Sequence, residues 1–161
     1  MSIHLLSTTR AFTFLLFVLL AGPAPAADLL VSGTTVKLGD SVAQAQAALG
    51  TQAAPTSFIR DEPEKKMLQA KDKGVQVFFQ PTTHLVYIIR FDAPFAGAVG
   101  SARIGMTRAQ LEKTLGPPAA DIRNPPSIPG TPPLYGYHID GKSLARFVFD
   151  ESEKVVTIFV Q

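Results

Sequence analysis

The side chains of this chain that can do chemistry are few, and their spacing limits each of them. The sequence holds three histidines and no cysteine. Without thiols there is no disulfide, no zinc–thiolate site and no cysteine nucleophile. His84 falls in a turn, Pro81-Thr82-Thr83-His84, and His138 lies between Tyr137 and Ile139 in an expected strand. Neither belongs to a His-x-x-x-His pair, so no metal site is expected. Ser143, His138 and Asp140 are the residue types of an acyl-transfer triad. Three polar residues around a hairpin are also what turn chemistry requires, and the structural role is preferred. Asp61, Glu62 and Glu64 stand directly before Lys65 and Lys66. A general acid–base pair needs two carboxyls in contrasting environments, whereas one solvated loop gives them the same environment. Gly97 to Gly100 lacks the lysine and the βαβ setting of a phosphate loop. No enzyme and no cofactor are expected.

The 161 residues suffice for one ordinary domain or two very small ones. Residues 1–26 read as a signal peptide. Arg10 precedes an apolar run from Ala11 to Ala21, and Ala24-Pro25-Ala26 offers small residues at the cleavage positions. The run is shorter than the roughly 20 residues that span a bilayer. The expected mature chain starts at Ala27 and is periplasmic or secreted. Lacking cysteine, it has no acceptor for a lipid anchor at the cleavage site. Once Arg10 is removed, 14 basic residues face 13 acidic ones. That balance makes no electrostatic case for nucleic acid or an anionic membrane.

The elements that must position everything else are punctuated by two helices. In Ile104 to Pro118, Thr107 is an N-cap with Gln110 closing a capping box. Met106 and Leu111 form a hydrophobic staple, and Gly116-Pro117-Pro118 stops the helix. Leu38 to Gly50 repeats these devices, with Ser41 and Gln44 as the box and a helix over roughly Val42 to Leu49. Asp28 to Val36 reads as a leader or edge strand, and Thr51 to Glu64 as a loop that Phe58 and Ile59 pin to the core. Strands are expected over Lys66–Ala70, Val75–Gln80 and Leu85–Phe91, then over Leu134–Ile139, Lys142–Phe149 and Val155–Val160. Asp140-Gly141 is a hairpin signal. Gly39, Leu49 and Gly50 map onto Gly105, Leu115 and Gly116 at a spacing of 66. Phe79, Val86 and Ile88 map onto Phe149, Val156 and Ile158 at 70. The expected fold is α+β: two tandem αβββ repeats, 27–100 and 101–161, forming one antiparallel sheet with both short helices packed on one face.

Gly105 to Pro118 (Gly-Met-Thr-Arg-Ala-Gln-Leu-Glu-Lys-Thr-Leu-Gly-Pro-Pro) resembles the signature of the small SmpA/OmlA-type outer-membrane assembly lipoproteins. It is also similar to the β-lactamase-inhibitor-protein group, which carries two tandem copies of such a unit. The resemblance implies helical elements packed on a curved antiparallel sheet, and binding to another envelope protein without catalysis. The missing cysteine departs from the lipid anchor of the first group and the disulfides of the second, and no contact residues carry over.

Alternation along the strands sorts the sheet into two faces. With Phe79 opposite Val86, one face carries Val75, Val77, Phe79, Val86 and Ile88, with Arg90 near its end. The same register adds Ala145, Phe147, Phe149, Val156, Ile158 and Val160, and this apolar face is the one the helices must cover. The other face carries Gln76, Phe78, Leu85, Tyr87 and Ile89, then Leu144, Arg146, Val148, Thr157 and Phe159. Aromatic and Arg side chains are enriched where proteins bind one another. Phe78, Tyr87, Arg146, Thr157 and Phe159 are therefore the candidate partner-binding residues. Alternatively that face is covered by the Pro-rich loop, by the leader strand or by a second copy. Seven of the 13 prolines fall between Pro117 and Pro133. That stiff segment could present Ile122, Ile128 and Leu134 to a partner, or roof a small-ligand pocket beneath residues 121–133.

Overall fold

A computed structural model of the chain describes residues 31–119, 134–138 and 143–161. The expected signal segment, the Pro-rich stretch 121–133 and the Asp140-Gly141 turn lie outside the described residues. In chain order the elements are β1 (Val31–Ser32), α1 (Val42–Leu49), β2 (Thr56–Ser57), β3 (Lys66–Ala70), β4 (Val75–Phe79), β5 (Val86–Asp92), β6 (Ala98–Val99), α2 (Arg108–Leu115), β7 (Leu134–His138), β8 (Leu144–Phe149) and β9 (Val155–Val160). The fold is α+β and mainly antiparallel sheet. Seven strands form one sheet in the order β2-β3-β4-β5-β9-β8-β7, while β1 and β6 pair as a separate two-stranded ribbon. The leader thus contributes a strand, but to the ribbon. Among the described residues no helix is long and apolar enough to cross a membrane.

Both capping boxes form. Ser41 Oγ accepts from Gln44 N at 3.4 Å while Gln44 Oε1 accepts from Ser41 N at 2.8 Å. Thr107 Oγ1 accepts from Gln110 N at 3.2 Å while Gln110 Oε1 accepts from Thr107 N at 2.9 Å. An eight-residue helix is too short to persist alone in water, so packing must hold each one. Ala45 and Leu49 of α1, and Leu111 of α2, are buried in one core with Val75, Val77, Phe79, Phe147 and Phe149 of the sheet. Met106 packs against that core, which includes Leu111. Gly50 ends α1 in the left-handed conformation at φ 65°. At the other helix, Gly116 N donates to Glu112 O, and its carbonyl accepts from the Tyr137 hydroxyl at 3.2 Å.

The sheet's two faces differ from the expected ones at two places, for one reason. Phe79 does lie opposite Val86, but the next pair is Phe78 with Ile88, so Tyr87 is an extra residue in a bulge. Likewise Phe149 faces Val155 while Val148 faces Thr157, leaving Val156 extra. One inserted residue flips every side chain beyond it to the other face. Ile89 and Phe91, 1% and 0% exposed, therefore enter the core, while Ile88 and Arg90 leave the helix-covered face. In the second hairpin Val155 takes the core position at 0% exposure and Val156 is 38% exposed. The loop 51–64 also holds more order than expected, since Thr56 and Ser57 pair with Met67 and Lys66 at the sheet edge. Phe58 is not pinned to the core; its ring meets Phe78 edge-on at 5.0 Å.

Two consequences are measurable. Gly74 sits at φ +64°, and a Cβ there would overlap the Asp92 carbonyl oxygen and lie 2.6 Å from Phe95 N. Gly39 has a similar φ of +84° but nothing within 4 Å of its Cβ position. Gly39→Ala should cost about 1 kcal/mol, the strain of a left-handed alanine. Gly74→Ala should cost at least about 3 kcal/mol, because backbone must also move. Urea unfolding of both variants checks the difference. Burial pushes the Tyr137 phenol up to about 12 from its ordinary value of 10.0. Between those values the unfolded chain releases a proton that the folded chain retains, so stability should fall as pH rises from about 10 to 12. Tyr137→Phe should cost about 1 kcal/mol at pH 8, for the lost bond to Gly116. It should also remove this part of the alkaline decline, read from urea midpoints at pH 8 and pH 11.

Candidate functional site

The helices cover one face of the sheet, and the residues of the other face fall into cross-strand rows. Gln76 lies opposite Arg90, Arg90 opposite Phe159, and Phe159 opposite Arg146, one residue from each of β4, β5, β9 and β8. Met67, Phe78 and Ile88 form an apolar row on one side. On the other side Asp92, Thr157, Val148 and Leu134 are aligned. Apart from Thr157, all of these side chains are half-buried: they stand in a packed layer, and none is buried beneath a helix.

Polar contacts fix the middle of this layer. The Asp92 carboxylate accepts from Thr157 Oγ1 at 2.6 Å, from Gln76 Nε2 at 3.3 Å and from Arg90 Nη2 at 3.0 Å. Arg90 and Asp92 form an ion pair at 2.8 Å, and the Arg90 guanidinium lies over the Phe159 ring, 5.6 Å from its centroid. The Thr157–Asp92 bond joins strands β9 and β5, which are 65 residues apart in sequence. Beyond Phe159, Arg146 is differently placed. With the Gln161 amide turned oxygen-first, Arg146 donates to it from Nε at 3.3 Å and Nη2 at 3.2 Å. No carboxylate pairs with Arg146 among the described residues.

Of the expected binding residues, Phe78, Arg146 and Phe159 share this face. Tyr87 is 37% exposed in the β5 bulge. Thr157 lies on the face but is only 7% exposed with its hydroxyl held by Asp92, so it supports the surface from below. Arg90 and Asp92 are not among the expected residues: strict alternation places Arg90 on the helix-covered face, and only the bulge turns the pair outward. An Arg-x-Asp pair closing a strand was the available signal, since side chains two apart share a face.

Among the described residues the two histidines do not come together as a metal site. His84 occupies the β4–β5 turn at φ 58° and His138 ends β7, on a different hairpin. Asp140 of the considered triad lies outside the described residues. Glu62 pairs with Lys65 at 2.6 Å and raises the pKa of its ammonium, as a solvated ion pair does. Among the described residues no three His, Asp or Glu side chains gather as a metal site. A second arginine–aromatic cluster serves packing: Arg108 lies 5.2 Å from the Tyr135 ring and 5.4 Å from Phe149, with Glu153 at 3.2 Å, tying α2 to β7 and β8. An open depression of about 420 Å³ beside α1 is lined by Thr35, Lys37, Asp40, Gln44, Ala47 and Ala48, without a convergent catalytic set. Comparison of the chain with protein-family models, with curated proteins and with solved structures yields no match.

Proposed function

We propose that this is an exported, non-enzymatic protein-binding module, built from two αβββ repeats and using the sheet face opposite its helices. The observation that carries the reading is the composition of that face. It presents Phe78, Ile88, Phe159 and two arginines in a packed, half-buried layer. Such a mixture is characteristic of protein interfaces and costly to leave to water alone. The resemblance of Gly105 to Pro118 to the SmpA/OmlA and β-lactamase-inhibitor groups supports the same class of function. The partner is then an envelope protein, either an enzyme that is inhibited or a component of an assembly.

Duplication is supported by parts that recur at matching positions. Gly39 N donates to Val86 O and Val86 N to Asp40 O, both at 2.8 Å. Gly105 N donates to Val155 O at 2.7 Å and Val155 N to Met106 O at 2.8 Å. His84 and Glu153 both take positive φ in the turn before the third strand, at 58° and 57°. The bulges at Tyr87 and Val156 correspond as well. On this alignment the third strands are related by 69 residues instead of 70, because the second hairpin turn is one residue shorter.

The test is affinity capture from a periplasmic extract of the encoding organism. The wild-type protein should retain a partner that a Tyr87→Ala, Arg146→Ala, Phe159→Ala variant loses at least tenfold, with circular dichroism and thermal midpoint confirming that the variant is folded. Equal retention by both proteins would sink the assignment to this face. A ligand pocket beneath residues 121–133 gains if the wild type retains no protein.

A further inference from the structure

We propose that Arg146 is the recognition residue of this face and that it takes a carboxylate side chain, Asp or Glu, set in an apolar patch of the partner protein. The inference rests on the protein-binding reading above and specifies its chemistry. Three charged side chains define the middle of the face. Asp92 is saturated by Gln76, Arg90 and Thr157, and it neutralises Arg90 at 2.8 Å. Among the described residues Arg146 alone keeps an unmatched charge there. Its described bonds, 3.2 and 3.3 Å long, go to one neutral amide oxygen on Gln161.

The nearest neighbours of Arg146 along β8 and directly across on β9 are apolar. Leu144 and Val148 stand two residues to either side on β8, and Phe159 lies directly opposite on β9. All three are half-buried. A guanidinium flanked by apolar side chains on three sides is already partly dehydrated, and its planar fork suits a carboxylate held by two parallel bonds. Closing an apolar rim over that pair excludes water and strengthens the interaction. A polyphosphate chain is the poorer fit, because phosphate-backbone recognition uses a run of cations and this face offers one. The neutral Arg90–Asp92 pair has a separate consequence: it lies on the other side of Phe159 and adds no second positive site.

The probes are three short peptides, N-acetyl-Phe-Glu-Phe-amide and its counterparts with Gln or phosphoserine at the centre. They are titrated into 15N-labelled protein and followed by NMR, including the Arg146 Nε–H signal. The Glu peptide should shift Arg146, Phe159 and Val148 and bind at least tenfold more tightly than the Gln peptide. Arg146→Gln should erase that preference while leaving the rest of the spectrum in place, and Arg146→Lys should restore only part of it. Equal binding of the Glu and Gln peptides would overturn the proposal, as would tenfold preference for phosphoserine or shifts confined to other surfaces. In the capture experiment, a partner lost by Phe159→Ala but fully held by Arg146→Gln would overturn the carboxylate assignment and leave the binding face standing.

Discussion

The structure depends on how each helix entry is stitched to a strand far along the chain. Gly39 and Asp40 exchange backbone hydrogen bonds with Val86, and Gly105 and Met106 do so with Val155. Neither eight-residue helix could form by its own propensity. The stitch fixes where each helix begins, and the capping residue that follows decides its direction. Gly39 and Gly105 take φ of 84° and 86°, with open space where a Cβ would go. Glycine is needed there for backbone conformation, since an L side chain pays strain in that region whatever the room. The bulge lies beside the stitch, so the strand that accepts the helix entry is also the one whose face assignment shifts.

That coupling explains which parts of the fold were legible in the sequence. The caps and stops were local, carried by Ser41, Gln44, Thr107, Gln110 and Gly116, and local chemistry reads directly. Strand positions were carried by β-branched and aromatic runs, and the pairing of Phe79 with Val86 followed from turn length. The bulges were not local. Tyr87 and Val156 become extra residues because the strand start is bonded to a helix entry more than 40 residues earlier, which no alternation pattern contains. The shift propagates from there: strict alternation puts Ile89 outside and Ile88 inside and makes Arg90 an exception in the core, and the bulge reverses all three.

The candidate surface shows the same division. Phe78, Arg146 and Phe159 precede or avoid the shifted segments and were read correctly as lying away from the helices. Tyr87 sits in the bulge itself. Thr157 lies on the expected face, but its role depends on Asp92, to which nothing in its local sequence links it. Residues 65 apart become partners only through the β5–β9 register.

That register also has a bearing on where a binding surface could arise. In the row from Arg90 through Phe159 to Arg146, the first residue comes from β5, before α2 in the chain, and the other two from β9 and β8, after it. The helix-covered face is spent on the common core. On the other face, Asp92 neutralises Arg90 within β5, and the β8–β9 register sets Phe159 beside an arginine with no such counter-ion among the described residues. A shift of one residue between β5 and β9 would put Val160 or Ile158 opposite Arg90 and dissolve the row. The Thr157–Asp92 bond between the two strands, from a nearly buried hydroxyl, penalises that shift. The contact that holds β5 and β9 in register thus engages the same Asp92 that neutralises Arg90, whereas Arg146, on the far side of Phe159, has no carboxylate partner among the described residues.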